Sequence, residues 1–124
     1  MSRQRWRVRL AAAAERDVLG IVLWTAEHFG AEQARRYRAT IFAALRDLDD
    51  GPNVTGTQDR AELGHNLRSL HVARRGRRGR HVILFTTVDD ARIEIVRILH
   101  DSMDLARHLP TVGDEADPRR SGQC

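Results

Sequence analysis

Hydrophobic residues change their spacing along this chain, and each change marks a new element. In "WRVRL" (Trp6 to Leu10) apolar and basic residues alternate, which predicts a short strand with one buried face. From Ala11 to Phe29 the spacing turns helical, with Val18, Ile21, Val22, Thr25 and Phe29 in one stripe. Leu19, Leu23 and Trp24 widen that stripe, so this helix is expected to meet more than one neighbour. Gly30 suits the left-handed residue that ends a helix. A second stripe follows at once between Ala31 and Leu48: Ala34, Tyr37, Ile41, Ala44, Leu45 and Leu48. Arg35, Arg36, Arg38 and Arg46 occupy its wet side. A link this short folds the two helices into an antiparallel hairpin.

The period is then lost. Asp49 to Asn66 is rich in turn formers and reads as a loop, with a short turn near Ala61 to Leu63. Three strands are expected after it: Leu67 to Ala73, Arg80 to Val88 and Arg92 to His100. "DDA" joins the last two at hairpin length. Val82 to Val88 is apolar almost throughout, as in a central strand. The order strand, helix, helix, three strands predicts an α+β, two-layer fold. In it, the helical hairpin packs on a mostly antiparallel four-stranded sheet. Residues 1–110 form the expected domain. The polar tail 111–124, with its Pro and Gly, is expected to be disordered.

Composition narrows the function classes. With 124 residues and 41% hydrophobic residues the chain suffices for one core. Aromatics are 5%, so Leu, Ile, Val and Ala fill that core. The net charge is +4, and every basic residue other than histidine is arginine. The absence of lysine excludes Schiff-base and P-loop lysine chemistry. A basic chain invites an acidic partner. The one cysteine, Cys124, permits neither an internal disulfide nor a cysteine metal cluster. No secretory signal is expected, and no run approaches the roughly 18 apolar residues of a membrane span. The expected setting is the cytoplasm, with no membrane partner.

"RILHDSMDLARHLP" (Arg97 to Pro110) spaces His100, Asp104 and His108 four apart, as one helical face would. However, Arg92 to Leu99 is the most strand-like run in the chain, and a helix is expected only from about Ser102, capped by Asp101 or Ser102. The break removes the three-ligand geometry, so no metal and no cofactor are expected. Acid/base chemistry is the other option. A histidine at the sheet end with an arginine beside it suits phosphodiester cleavage. Arg80, Arg97 and His100 are the candidates, with His71 and His81 on neighbouring strands. On strict alternation Arg97 shares a face with Ile93, Ile95 and Leu99, and His100 shares the other with Val96 and Ile98. The two then point apart unless the strand bends.

From Arg68 to Arg80 there are six arginines and no acid, five of them within seven residues around "RRGRRG". This stretch suits phosphates or an acidic protein segment. It lacks interleaved aromatics, which argues against stacking of single-stranded bases. Arg77 and Arg78 read as a solvated tip. The apolar character of both strand faces (Ile83 and Phe85, Val82 and Leu84) leaves one face without helices, and a partner protein is expected to cover it.

Three segments together resemble a known family. They are "HFGAEQARRYRATIFAALRDL", "LRSLHV" followed by "RHVILFTTVDD", and "IEIVRILHDSMDLARHL". Over about residues 6 to 109 the chain resembles the ParE branch of the RelE/ParE toxin superfamily, the toxins of bacterial type II toxin–antitoxin modules. The last segment carries the most specific likeness, a strand, a His and a Met-Asp pair. The resemblance implies a cytoplasmic toxin that inhibits DNA gyrase by binding and forms a hetero-oligomer with a ParD-like antitoxin. Within it Arg97, His100, Met103, Asp104 and Arg107 match the closing signature and mark the region of target contact. For antitoxin contact, apolar or cationic character selects Trp24, Phe29, Tyr37, Arg38, Arg74 and Arg75. The RelE branch instead cleaves mRNA on the ribosome. Its lysine/tyrosine catalytic set is absent here, because the one tyrosine lies within the second helix. A ribonuclease would have to rely on Arg80, Arg97 and His100. A third possibility is a non-toxic binding module, which unimpaired growth on strong expression would reveal.

Overall fold

The computed structural model describes residues 5–103. The elements are β1 (Arg7–Leu10), α1 (Ala12–Phe29), α2 (Ala31–Asp47), a 3₁₀ turn (Leu48–Asp50), β2 (Gln58–Asp59), β3 (Leu67–His71), β4 (His81–Thr87) and β5 (Arg92–His100). They form one sheet in the order β1-β5-β4-β3-β2. β1 runs parallel to β5, and every other pairing is antiparallel. The two-layer α+β expectation holds, with five strands rather than four. The additional strand, β2, pairs Gln58 with Ser69 and Asp59 with Arg68 in the stretch read as loop. Two residues cannot display an alternating pattern, so the sequence carries no sign of it.

Gly30 alone separates α1 from α2. Its φ of 97° suits a residue without Cβ. Its N–H donates to Ala26 O, and its carbonyl accepts from Ala34 N–H, so it closes one helix and opens the next. The resulting hairpin lies across the sheet. Ile41, Leu45 and Leu48 of this layer meet Leu70, Ile83, Phe85, Ile93, Ile95 and Ile98 in the main core.

The opposite sheet face is also buried. Val82, Leu84 and Leu99 are at most 6% exposed, and Leu63, Leu67 and Val96 pack on them. The expectation that a partner must cover this face is therefore corrected: the loop before β3 brings Leu63 onto it. The unpartnered apolar surface lies instead on the outside of α1. Leu19, Leu23, Trp24 and Phe29 are 54–66% exposed. Phe29, read as part of the buried stripe, belongs to this outer surface, because Gly30 ends the helix beside it and the chain turns away.

β5 breaks its alternation once. Leu84 opposes Arg97 while Phe85 opposes Ile95, which leaves Val96 as an extra residue. Beyond this bulge the faces exchange. Ile98 joins Ile93 and Ile95 in the main core, whereas Leu99 joins Val96 on the other side. The expected grouping changes in part: His100 keeps Ile98 but joins the face of Ile93 and Ile95 instead of Val96, while Arg97 keeps Leu99 and leaves Ile93 and Ile95, with no register shift between Arg97 and His100.

Candidate functional site

The sheet end at which β3 finishes, β4 starts and β5 finishes gathers three histidines. His81 and His100 are cross-strand partners, and His71 pairs with the adjacent Val82. The rings of His81 and His100 meet edge-to-face, with centroids 5.3 Å apart. Tyr37 reaches them from α2. Its oxygen accepts the Arg80 backbone N–H at 3.0 Å and stands 2.7 Å from His81 Nδ1. The direction of that second bond is set by the His81 tautomer: the phenol donates when the imidazole proton is on Nε2 and accepts when it is on Nδ1. Gly79 makes the approach possible. A Cβ there would stand 2.8 Å from the Tyr37 hydroxyl and 2.5 Å from Val72 Cγ2.

Each histidine has its orientation fixed by a short-range bond. Ala73 N–H donates to His71 Nδ1 at 3.0 Å, and His71 Nε2–H donates to Asp101 at 2.9 Å. Ser102 N–H donates to His100 Nδ1 at 3.1 Å, and the Ser102 hydroxyl is 2.8 Å from the same nitrogen. Asp101 also accepts from the Arg80 guanidinium, with a closest approach of 3.1 Å. The Arg80 hydrogen bond, then that of His71, hold the Asp101 carboxyl down at about 2. The same Asp101 contact holds the Arg80 guanidinium above its ordinary value. Burial, followed by repulsion from His100, pushes His81 down to about 4. Burial raises Tyr37. At neutral pH the cluster thus presents a neutral imidazole and a neutral phenol beside a closed Arg80–Asp101 pair.

Arg97 is committed elsewhere. Its Nε and Nη2 donate to the Asp17 carboxylate of α1 at 2.7 and 2.9 Å, and Ile98 N–H donates to the same group at 2.9 Å. The Asp17 hydrogen bonds hold Arg97 above its ordinary value.

A groove of about 1310 Å³ runs between the outer side of α1 and this sheet end. It unites two sets of residues that the sequence kept apart. Arg97, His100 and Met103, expected at a target, line it together with Trp24, Phe29 and Tyr37, expected at an antitoxin, and so does Arg80. Three candidates lie outside it. Arg38 sits over the Phe42 ring at 4.5 Å. Arg74 and Arg75 close on Asp47 at 2.8 and 3.2 Å. Asp104 and Arg107 of the closing signature lie outside the described residues, as does the tail 111–124. His108 does too, so the four-residue spacing has no structural counterpart among the described residues.

Sequence reasoning missed Asp17 and Asp101, the carboxylates that organise the site. Nothing in the chain marks Asp17 as the mate of Arg97, and Asp101 stood only as a possible helix cap. Arg77 and Arg78, read as a solvated tip, also line the groove.

Comparison with known proteins agrees with this architecture. The family model for the ParE toxin of the type II toxin–antitoxin system, parDE, matches residues 8–105. A curated relative, Toxin ParE1 of Caulobacter vibrioides, is 32% identical over 101 residues, covering 82% of this chain and 95% of that protein. Toxin ParE1 of Mycobacterium tuberculosis is 25% identical over 103 residues, covering 83% and 97%. Among solved structures, a chain of the chromosomal ParDE toxin–antitoxin system from P. aeruginosa superposes with a TM-score of 0.63 at 20% identity, covering 77% of this chain and 96% of that one. A chain of the RelBE2 toxin–antitoxin complex from Mycobacterium tuberculosis does so with a TM-score of 0.55 at 23% identity, covering 80% and 94%. With a family match that spans both helices, the whole sheet and the groove between them, the chain belongs to the ParE toxin family of type II toxin–antitoxin systems.

Proposed function

We propose that this ParE-family chain inhibits DNA gyrase by binding it, and that a ParD-like antitoxin neutralises it by occupying the groove. One observation carries the non-enzymatic part. Both arginine candidates for phosphodiester chemistry are closed on the chain's own carboxylates, Arg97 on Asp17 and Arg80 on Asp101. A phosphorane-like state needs cations aimed at its oxygens, not at a resident acid. Trp24 and Phe29, exposed apolar residues that line the groove, support a protein as its occupant. The family supports gyrase as the target. The test adds purified protein to gyrase and follows DNA supercoiling and cleavage. Loss of supercoiling with accumulation of broken DNA is expected, and unaffected gyrase would sink the reading.

A second reading has its own observation. His100 lines the groove with Arg80 and Arg97, and its ring meets that of His81, so imidazole and guanidinium groups of the kind phosphodiester cleavage uses share one groove. This supports a ribosome-dependent ribonuclease with Arg80, Arg97 and His100 at work. Codon-linked cuts in mRNA on induction, abolished by His100→Ala, would favour it over the gyrase reading. The setting proposed for either activity is the cytoplasm; among the described residues no helix is long and apolar enough to cross a membrane.

A further inference from the structure

The Arg- and Gly-rich turn between β3 and β4 borders the groove and is pinned at both ends. At its start, Arg74 donates to Asp47 at 2.8 Å and to Thr55 O at 2.7 Å, and Arg75 donates to Asp47 at 3.2 Å. At its end, Gly79 lies against Tyr37, and Arg80 N–H donates to the Tyr37 hydroxyl. Between these two pins, Arg77 N–H closes on Arg74 O, with Arg75 and Gly76 at φ of 53° and 80°. The turn is therefore held at both ends, and the two residues it presents are Arg77 and Arg78.

Those two arginines differ from their neighbours. Arg74, Arg75, Arg80 and Arg97 each close on an internal carboxylate. Arg77 and Arg78 are exposed, line the groove and have no carboxylate partner among the described residues. Arg16 stands in the same condition on α1. Below them the groove is apolar, with Ile21, Trp24, Phe29 and Met103.

We propose that the turn is a specificity element for the antitoxin: Arg77 and Arg78 pair with carboxylates on an apolar-faced helical segment seated against Trp24 and Phe29. This rests on the groove being where the antitoxin binds. Charge complementarity requires an acidic occupant, and the apolar floor requires one with an apolar face. Nucleic acid fits less well. Trp24 already has a ring face stacked on His28, with centroids 4.0 Å apart at 19°, and Leu19 and Leu23 beside it offer no stacking surface. Pinning matters because a turn already held in place loses less backbone freedom when its arginines bind.

The test measures affinity between the full-length toxin and its co-expressed antitoxin, across a salt series. Arg77→Glu with Arg78→Glu is expected to weaken binding by about thirtyfold and to flatten the salt dependence. The double Arg→Lys variant is expected to retain most of the affinity. Arg7→Glu, an equal charge change at an exposed position of β1 away from the groove, is expected to stay within about threefold. Circular dichroism should be unaltered throughout, since neither arginine supports the fold. Equal losses for the Arg7 and Arg77/Arg78 variants would reduce the effect to net charge and overturn the proposal. So would unchanged affinity in the double Glu variant. A single-stranded oligothymidine that binds through Arg77 and Arg78, while antitoxin affinity ignores them, would reassign the turn to nucleic acid. If wild-type toxin forms no complex, the antitoxin reading itself fails and takes this one with it.

Discussion

Arg97 and Asp17 stand eighty positions apart and meet in a two-pronged ion pair at 2.7 and 2.9 Å. The same carboxylate accepts the Ile98 N–H, so one side chain of α1 ties both the arginine and the backbone of β5 just beyond its bulge. Removing it takes one acceptor away from a partly buried cation and a backbone donor together. Asp17→Ala is expected to destabilise the fold by about 2–3 kcal/mol, measured by urea unfolding. Arg97→Ala should cost less, because the Ile98 contact survives. Equal costs for the two would show that the backbone bond contributes nothing.

Tyr37→Phe removes one oxygen that serves two partners, His81 Nδ1 and Arg80 N–H. A loss of about 1–2 kcal/mol is expected, with the ring packing retained. The more diagnostic readout is nuclear magnetic resonance of His81, whose tautomer balance should change once the phenol no longer bonds Nδ1. An unchanged tautomer would mean that the phenol does not set it.

Gly79→Ala tests the close approach at the same place from the other side. A methyl group there meets Val72 and the Tyr37 hydroxyl well inside contact distance. Overpacking of about 1–3 kcal/mol is expected, visible as a lowered Tm. Because Tyr37 must move, the His81 ring signals should shift in the same spectrum.

Acid should weaken this protein in two stages. His81 is held down to about 4, below the ordinary histidine value, so the unfolded chain takes up its proton first. Its contribution is complete above about pH 6.5 and declines as pH falls towards 4. Asp101, held at about 2, contributes fully above the ordinary aspartate value and loses that contribution between about pH 4 and 2. Thermal unfolding across this range should show Tm falling first in the histidine window. His81→Phe should flatten that first stage and leave the second in place.

Trp24→Ala and Phe29→Ala separate folding from binding. Both side chains are more than half exposed, so unfolding free energies should stay within about 0.5 kcal/mol of wild type. Antitoxin affinity should fall at least tenfold for Trp24→Ala if the groove is the docking surface. Full affinity in both variants would remove the groove from the interface.

The fold was largely legible from spacing. Both helices, the hairpin and the three long strands declare themselves by period, because each has enough residues to repeat it. β2 is too short to do so. The site was legible only in part. His100, Arg97 and Tyr37 stand out by residue type, but their partners do not. Asp17 is one acid among many on a wet helix, and only the packing of α1 on β5 sets it beside Arg97. The apolar face was misplaced for a related reason. Period shows which residues share a side, but not which side a distant loop will cover, and Leu63 comes from a segment without any period.

The extra residue at Val96 bears on how likeness between chains should be interpreted. It reverses the parity of everything after it in β5, so Ile98 and His100 face the helices along with Ile93 and Ile95. A chain with the same run of letters but an unbulged strand would send its histidine to the opposite side of the sheet. Matching letters at this strand therefore transfers a role only where the bulge is present as well. Deletion of Val96 would straighten the strand without moving the histidine, because Arg97 would then follow Ile95 in plain alternation; a flattened bulge that kept Val96 would instead turn the histidine out of the groove.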